Sequence, residues 1–216
     1  GTPGTLRTEV NGGYVVGDTI INDGRWHHVA VTWENDGTPN ITDANLYVDG
    51  ILQTPSATGS EPINTASSAD VRIGQDFVGR PINGAIDDVQ IFDSALTATE
   101  IADLAGSGTP PITPVLNYDA ARDATPMNNS WEDSLQIYSP GQYDADLSGG
   151  GITHNSSPGS SYPGIEAAYS FDGTSGAVVT DFEAFPTDLT NESATVEVWL
   201  RPGDLNGQEV VWEAGG

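Results

Sequence analysis

Carboxylates are the chemical resource this chain carries in excess. Thirty-one Asp and Glu face six basic residues, all of them Arg, and the formal net charge is -25. Hard cations such as Ca²⁺ take several oxygen ligands, so some of the Asp side chains are expected to bind calcium. The plainer use of the same charge is solubility in a salty or extracellular setting, and the two uses are compatible. His27-His28 offers a second chemistry, zinc ligation. Adjacent strand residues face opposite sides, however, and only His154 remains elsewhere, so both are expected to be packing residues. Trp26, Trp33, Trp199 and Trp212 could stack on sugars, but among apolar strand neighbours they are expected in the core. Trp131, Tyr138 and Tyr143 lie in a polar stretch, where loops carry function, and form the candidate rim for a ligand.

Several classes drop out. The acidic surface repels a phosphate backbone and no basic patch offers an exception, so nucleic acid is not an expected partner. No apolar run of about 18 residues exists to span a bilayer. The chain has no cysteine, which removes disulfides and thiolate metal sites. Neither a Gly-x-Ser-x-Gly elbow nor a phosphate-binding glycine loop occurs. Asn40-Ile41-Thr42, Asn128-Asn129-Ser130, Asn155-Ser156-Ser157 and Asn191-Glu192-Ser193 have N-glycosylation spacing, a pattern that chance supplies in a Gly/Ser/Asn-rich chain.

The elements that must position these groups are short strands. Twenty-six Gly and 14 Pro among 216 residues punctuate too heavily for a helical protein. Residues 6–10, 13–16, 26–33, 44–48, 70–73 and 85–92 read as strands, separated by turns such as Asn11-Gly12 and Asp49-Gly50. A helix is expected over 98–104, with Ser94 or Thr97 as its cap, Glu100 three residues after Thr97, and Gly106 as its end. The Pro-rich run 108–115 connects to a second set of strands at 115–118, 167–171, 177–180, 195–200 and 209–212. In the strand at 195–200, Val196, Val198 and Leu200 share one face, and Thr195, Glu197 and Trp199 the other.

Trp26-His27-His28-Val29-Ala30, Leu46-Tyr47-Val48-Asp49-Gly50, Ile73-Gly74-Gln75, Gly84-Ala85-Ile86-Asp87-Asp88-Val89 and Ala95-Leu96-Thr97 follow one another in a familiar order. They resemble the second half of a laminin G-like jelly roll of the concanavalin A-like group, which includes pentraxins and carbohydrate-binding modules. Leu116-Asn117-Tyr118-Asp119, Ser170-Phe171-Asp172-Gly173 and residues 196–202 resemble its first half. The resemblance implies an all-β, antiparallel two-sheet β-sandwich with one short helix, in permuted or strand-exchanged order. Residues 1–107 would be the C-terminal half, 108–115 the connector and 116–216 the N-terminal half. Residues 211–216 followed by 1–7 look like two consecutive strands and their hairpin loop. Closure within one chain, strand exchange between chains, and a window of a tandem array all fit. A half sandwich left alone would expose apolar faces and open strand edges.

The resemblance also implies a structural Ca²⁺, with Asp87 as a side-chain ligand, Asp172 and Gly173 contributing through carbonyl oxygens, and Asp119 as a further candidate. Asp87 and Asp88 are neighbours on a strand, so only one of them is expected to reach a given ion; the other reading makes both plain turn and edge carboxylates. Glucanases of this fold carry Glu-x-Asp-x-x-Glu on one strand. Glu197 has Trp199 two residues on, so no enzyme is expected. Together these readings point to a non-catalytic, extracellular or cell-surface unit of a repetitive adhesin or fibre, excerpted from a longer chain. Its partners would be neighbouring copies or adjacent repeats, with polysaccharide or glycoprotein as further ligands. The alternative is a carbohydrate-binding module of a secreted hydrolase.

Overall fold

The computed structural model describes residues 4–63, 71–75, 78–107, 112–123, 130–132, 144–158, 165–179, 193–203 and 211–214. Strands β1 (Thr5–Val10), β2 (Gly13–Ile20), β3 (His27–Trp33), β4 (Asn45–Val48), β5 (Ile51–Leu52), β6 (Ala57–Gly59), β7 (Val71–Ile73) and β8 (Asn83–Phe92) precede one helix, α1 (Ala98–Ser107). After it come β9 (Leu116–Tyr118), β10 (Ser130–Trp131), β11 (Ala145–Asp146), β12 (Ile152–Asn155), β13 (Ala168–Asp172), β14 (Ala177–Val179), β15 (Ala194–Pro202) and β16 (Trp212–Ala214). The helix starts where the sequence placed it: Glu100 accepts from the Thr97 N–H at 2.8 Å, and the Thr97 hydroxyl accepts from the Glu100 N–H.

The chain is an antiparallel β-sandwich. One layer is an eight-stranded sheet in the order β12-β13-β8-β15-β3-β4-β5, with β9 also on β8. The other layer is a five-stranded sheet, β10-β11-β14-β7-β16, and a three-stranded sheet, β1-β2-β6. Strands from before and after the connector therefore share the eight- and five-stranded sheets. β15 pairs with β3 on one side and β8 on the other, and β7 lies between β14 and β16. In this chain the two segments complete each other. Residues 1–3 and 215–216, which would form the loop of the hairpin expected between the chain's end and its start, fall outside the described residues; β16 pairs with β7 and β1 with β2, each at the end of its sheet order. Leu6, Val10 and Val211 nonetheless pack on the same core.

That core lies between the layers and takes Val196, Val198 and Leu200 of β15, as their alternation requires, together with Val29, Ile86, Val89, Ile91 and Tyr118. The outer face of the eight-stranded sheet is covered too. Leu96, Ile101 and Leu104 pack on Ala30, Tyr47 and Phe92. Gly50 makes this docking possible: it sits at φ +76°, and a Cβ there would lie 3.0 Å from the Ala102 Cα. Farther along, Ile165 packs with Trp26 and Trp199.

Two His side chains fasten the sheet, each on its own side. His28 and Glu197 are fully buried on β3 and β15, their Nε2 and Oε2 atoms 2.8 Å apart, with the Trp199 ring edge-on to the imidazole. Burial pushes the Glu197 carboxyl upward and the bond to His28 opposes this. A one-residue slip of β15 would drive Glu197 into the apolar layer, so the pair pins the register. His27 stands between two carboxylates, Nδ1 2.9 Å from Asp49 Oδ2 and Nε2 3.1 Å from Asp23 Oδ1. Both partners are carboxylates, so the ring donates to both at once only when it carries two protons. The Asp49 bond raises its pKa above 6.5 against the effect of burial, and Asp23, through Arg25 foremost, is held well below the usual carboxylate range.

Replacing His28 by Leu leaves Glu197 buried without its partner and should cost about 3 kcal/mol in urea unfolding. Replacing both residues by Leu should cost much less than the two single changes added together. For His27 the raised folded pKa means that its contribution is complete below about pH 6.5 and lost as pH rises through the folded value. The stability gap between wild type and His27→Gln should accordingly shrink from pH 6 to pH 9 in the same assay.

Candidate metal centre

The centre lies where the edge of β8 changes partner. β13 pairs with residues 83–86 and β9 with residues 89–91, both on the side away from β15. Asp87 and Asp88 fall in the gap between them. Asp119 directly follows β9 and enters the same gap, where the Ala120 N–H donates to Asp87 Oδ1 at 2.9 Å. Oxygen atoms of Asp87, Asp88 and Asp119 lie within 4.8 Å of one another.

The expectation that only one of the two adjacent Asp residues reaches this point fails, for a definite reason. Opposite β15 the register shifts: Trp199 pairs with Asp87 but Glu197 pairs with Gln90, so Asp88 and Val89 together face Val198. This is a β-bulge, and Asp88 takes φ +48° to make it. The extra residue turns both carboxylates to one side. The signal was present in the sequence, because the apolar residues Ile86 and Val89, which both face the core, are three positions apart, an odd spacing that strict alternation forbids.

The carboxylates are held out of water. Asp87 is 0% exposed, Asp88 7% and Asp119 8%, and Asp87 Oδ2 has no hydrogen-bond partner. Burial is the first cause that pushes all three carboxyls up, and the charges of neighbouring carboxylates add to it. Arg122 Nε meets Asp119 Oδ2 at 2.9 Å, but its side chain is largely exposed. One screened Arg does not balance three buried carboxylates.

These residues fit a hard cation. Every donor is oxygen, which suits Ca²⁺ and not a thiolate- or imidazole-seeking metal. Asp87 Oδ2, buried with nothing to bond, is the atom a cation would satisfy. Asp87 and Asp88 would hold the ion from β8 and Asp119 from the turn after β9.

Other expected site residues lie elsewhere. Asp172 pairs with Asn83, four residues before Asp87, or about 13 Å along the strand. Its Oδ1 accepts from the Thr174 N–H and hydroxyl. Gly173 follows it in a turn at φ +82°. Neither reaches the centre: antiparallel pairing carries the end of β13 away from it. Trp131 is not a ligand rim. It is 0% exposed and packs on Tyr118 and Tyr169, because its short strand faces the core. Tyr138 and Tyr143 fall outside the described residues. Trp26, Trp33 and Trp199 are buried as expected. Sequence reasoning missed Glu197 as the buried partner of His28.

Residues 2–102 match a laminin G-like family model described as the concanavalin A-like lectin/glucanases superfamily. The matched segment runs from β1 into α1 and contains Asp87 and Asp88, whereas Asp119 lies beyond it. No curated protein and no solved structure matches the chain. Among the described residues no helix is long and apolar enough to cross a membrane.

Substitutions at Asp87 separate its two duties. With chelator present at pH 8, Asp87→Asn keeps an acceptor for the Ala120 N–H and removes a buried charge, so the melting temperature should hold or rise. Asp87→Ala leaves that N–H unpaired and should cost about 1–3 kcal/mol.

Proposed function

We propose that the chain is a calcium-stabilised, non-catalytic laminin G-like unit of an extracellular adhesive or structural fibre protein. The observation that carries the calcium part is the orphaned Asp87 Oδ2 among three buried carboxylates. In this reading the ion is structural. It offsets the repulsion in the gap of β8 and ties β8 to the turn after β9, so residues on both sides of the connector depend on it.

The non-catalytic part is supported by the state of Glu197, which is 2% exposed and engaged with His28. A retaining mechanism needs two carboxyls flanking a substrate. An adhesive or fibrous role draws support from the laminin G-like segment, which is lectin-like or adhesive in kind and usually extracellular, and from the charge of -25. The alternative, a carbohydrate-binding module of a secreted hydrolase, loses its described rim residue now that Trp131 is in the core.

Thermal melting in Ca²⁺ against chelator tests the proposal. At about 100 times Kd the ion should add about 2.7 kcal/mol and raise the melting temperature accordingly. An unchanged melting temperature would overturn the calcium reading. Filaments or concentration-dependent oligomers in negative stain, without a hit on a glycan array, are the outcome expected of a fibre unit; a clear polysaccharide hit would favour the module.

A further inference from the structure

We propose that Asp88 is the specificity-determining residue of this centre, a third carboxylate delivered by the β-bulge that sets the affinity of the site and its preference for highly charged cations. The inference rests on the reading that Asp87, Asp88 and Asp119 hold a cation, which the buried and unpartnered Asp87 Oδ2 supports independently.

Asp88 is costly in three ways at once. Its φ of +48° is left-handed, a region a non-glycine residue enters only under constraint. The other described non-glycine residues at positive φ, Asn11 and Asp49, each precede a Gly in a hairpin turn, where that conformation is what closes the turn. Asp88 instead sits inside a ten-residue strand. It is also 7% exposed, and the charges around it are mostly of its own sign: Asp87, Asp119 and Glu197 against the exposed Arg122.

Nothing in the fold alone repays this. Without the bulge, alternation would keep Asp87 on the outer face and send residue 88 into the apolar layer with Ile86. A fold needing only a smooth strand would place an apolar residue there and lose no packing. A cation reverses the sign of the main cost, because each repulsive carboxylate becomes a ligand. Three carboxylates leave one uncompensated charge around a divalent ion and none around a trivalent one. The site should therefore take a trivalent lanthanide more tightly than Ca²⁺, by a margin that depends on Asp88.

Isothermal titration of the full chain with Ca²⁺ and with Tb³⁺ tests this, on wild type, Asp88→Asn and Asp88→Gly. Asn tolerates the left-handed backbone and Gly prefers it, so both variants keep the bulge, which circular dichroism would check. The expected result is Ca²⁺ binding at least about tenfold weaker in both variants, with the Tb³⁺-to-Ca²⁺ affinity ratio reduced. In chelator, Asp88→Gly should melt higher than wild type, since strain and repulsion are both removed. If wild type binds and both variants bind equally well, the role of Asp88 is overturned while the cation reading stands. If wild type binds neither ion, the cation reading fails and this inference fails with it.

Discussion

Backbone hydrogen bonding in the eight-stranded sheet runs unbroken only because β15 lies between β3 and β8. Remove β15, and two long inner strands lose a ladder partner while the core loses Val196, Val198 and Leu200. The strand comes from the far end of the chain, so the segment before the connector cannot finish its own sheet. His28 and Glu197 give the insertion its register at a single buried point. A polar pair of this kind adds little net stability but penalises every alternative alignment, which matters for a strand that must find its place between two others.

The opposite edge of β8 shows the complementary effect. Two short strands, β13 and β9, share one edge, and the gap between them is where the bulge, the turn after β9 and three carboxylates converge. Asp87 and Asp88 belong to the segment with the laminin G-like match, whereas Asp119 comes from beyond it. Charge burial and topology thus meet at one place, the junction of the two segments. A cation there would act on the joint between them rather than on either alone.

Much of this was legible in the sequence. The alternation of Val196, Val198 and Leu200 gave the buried face of β15, and the Thr97 and Glu100 box gave the start of α1. What was not legible depended on contacts distant in the chain. The bulge at Asp88 is set by its pairing with β15, although the spacing of Ile86 and Val89 hinted at it. Trp131 has polar neighbours in sequence but Tyr118 and Tyr169 in space. Asp172 carried a family expectation that the antiparallel register of β13 does not meet.

The central claim is that one chain supplies both β3 and the β15 inserted beside it. With no native cysteine to interfere, Val31→Cys and Val196→Cys can be combined, since these residues are directly opposed. Opposed antiparallel residues have Cα atoms about 4.5–5.5 Å apart, within the span a disulfide accepts. After mild oxidation, a non-reducing gel should show a monomer carrying an intrachain disulfide. A ladder of covalently linked chains in place of that monomer would contradict the account, because β15 would then complete the sheet of a neighbour.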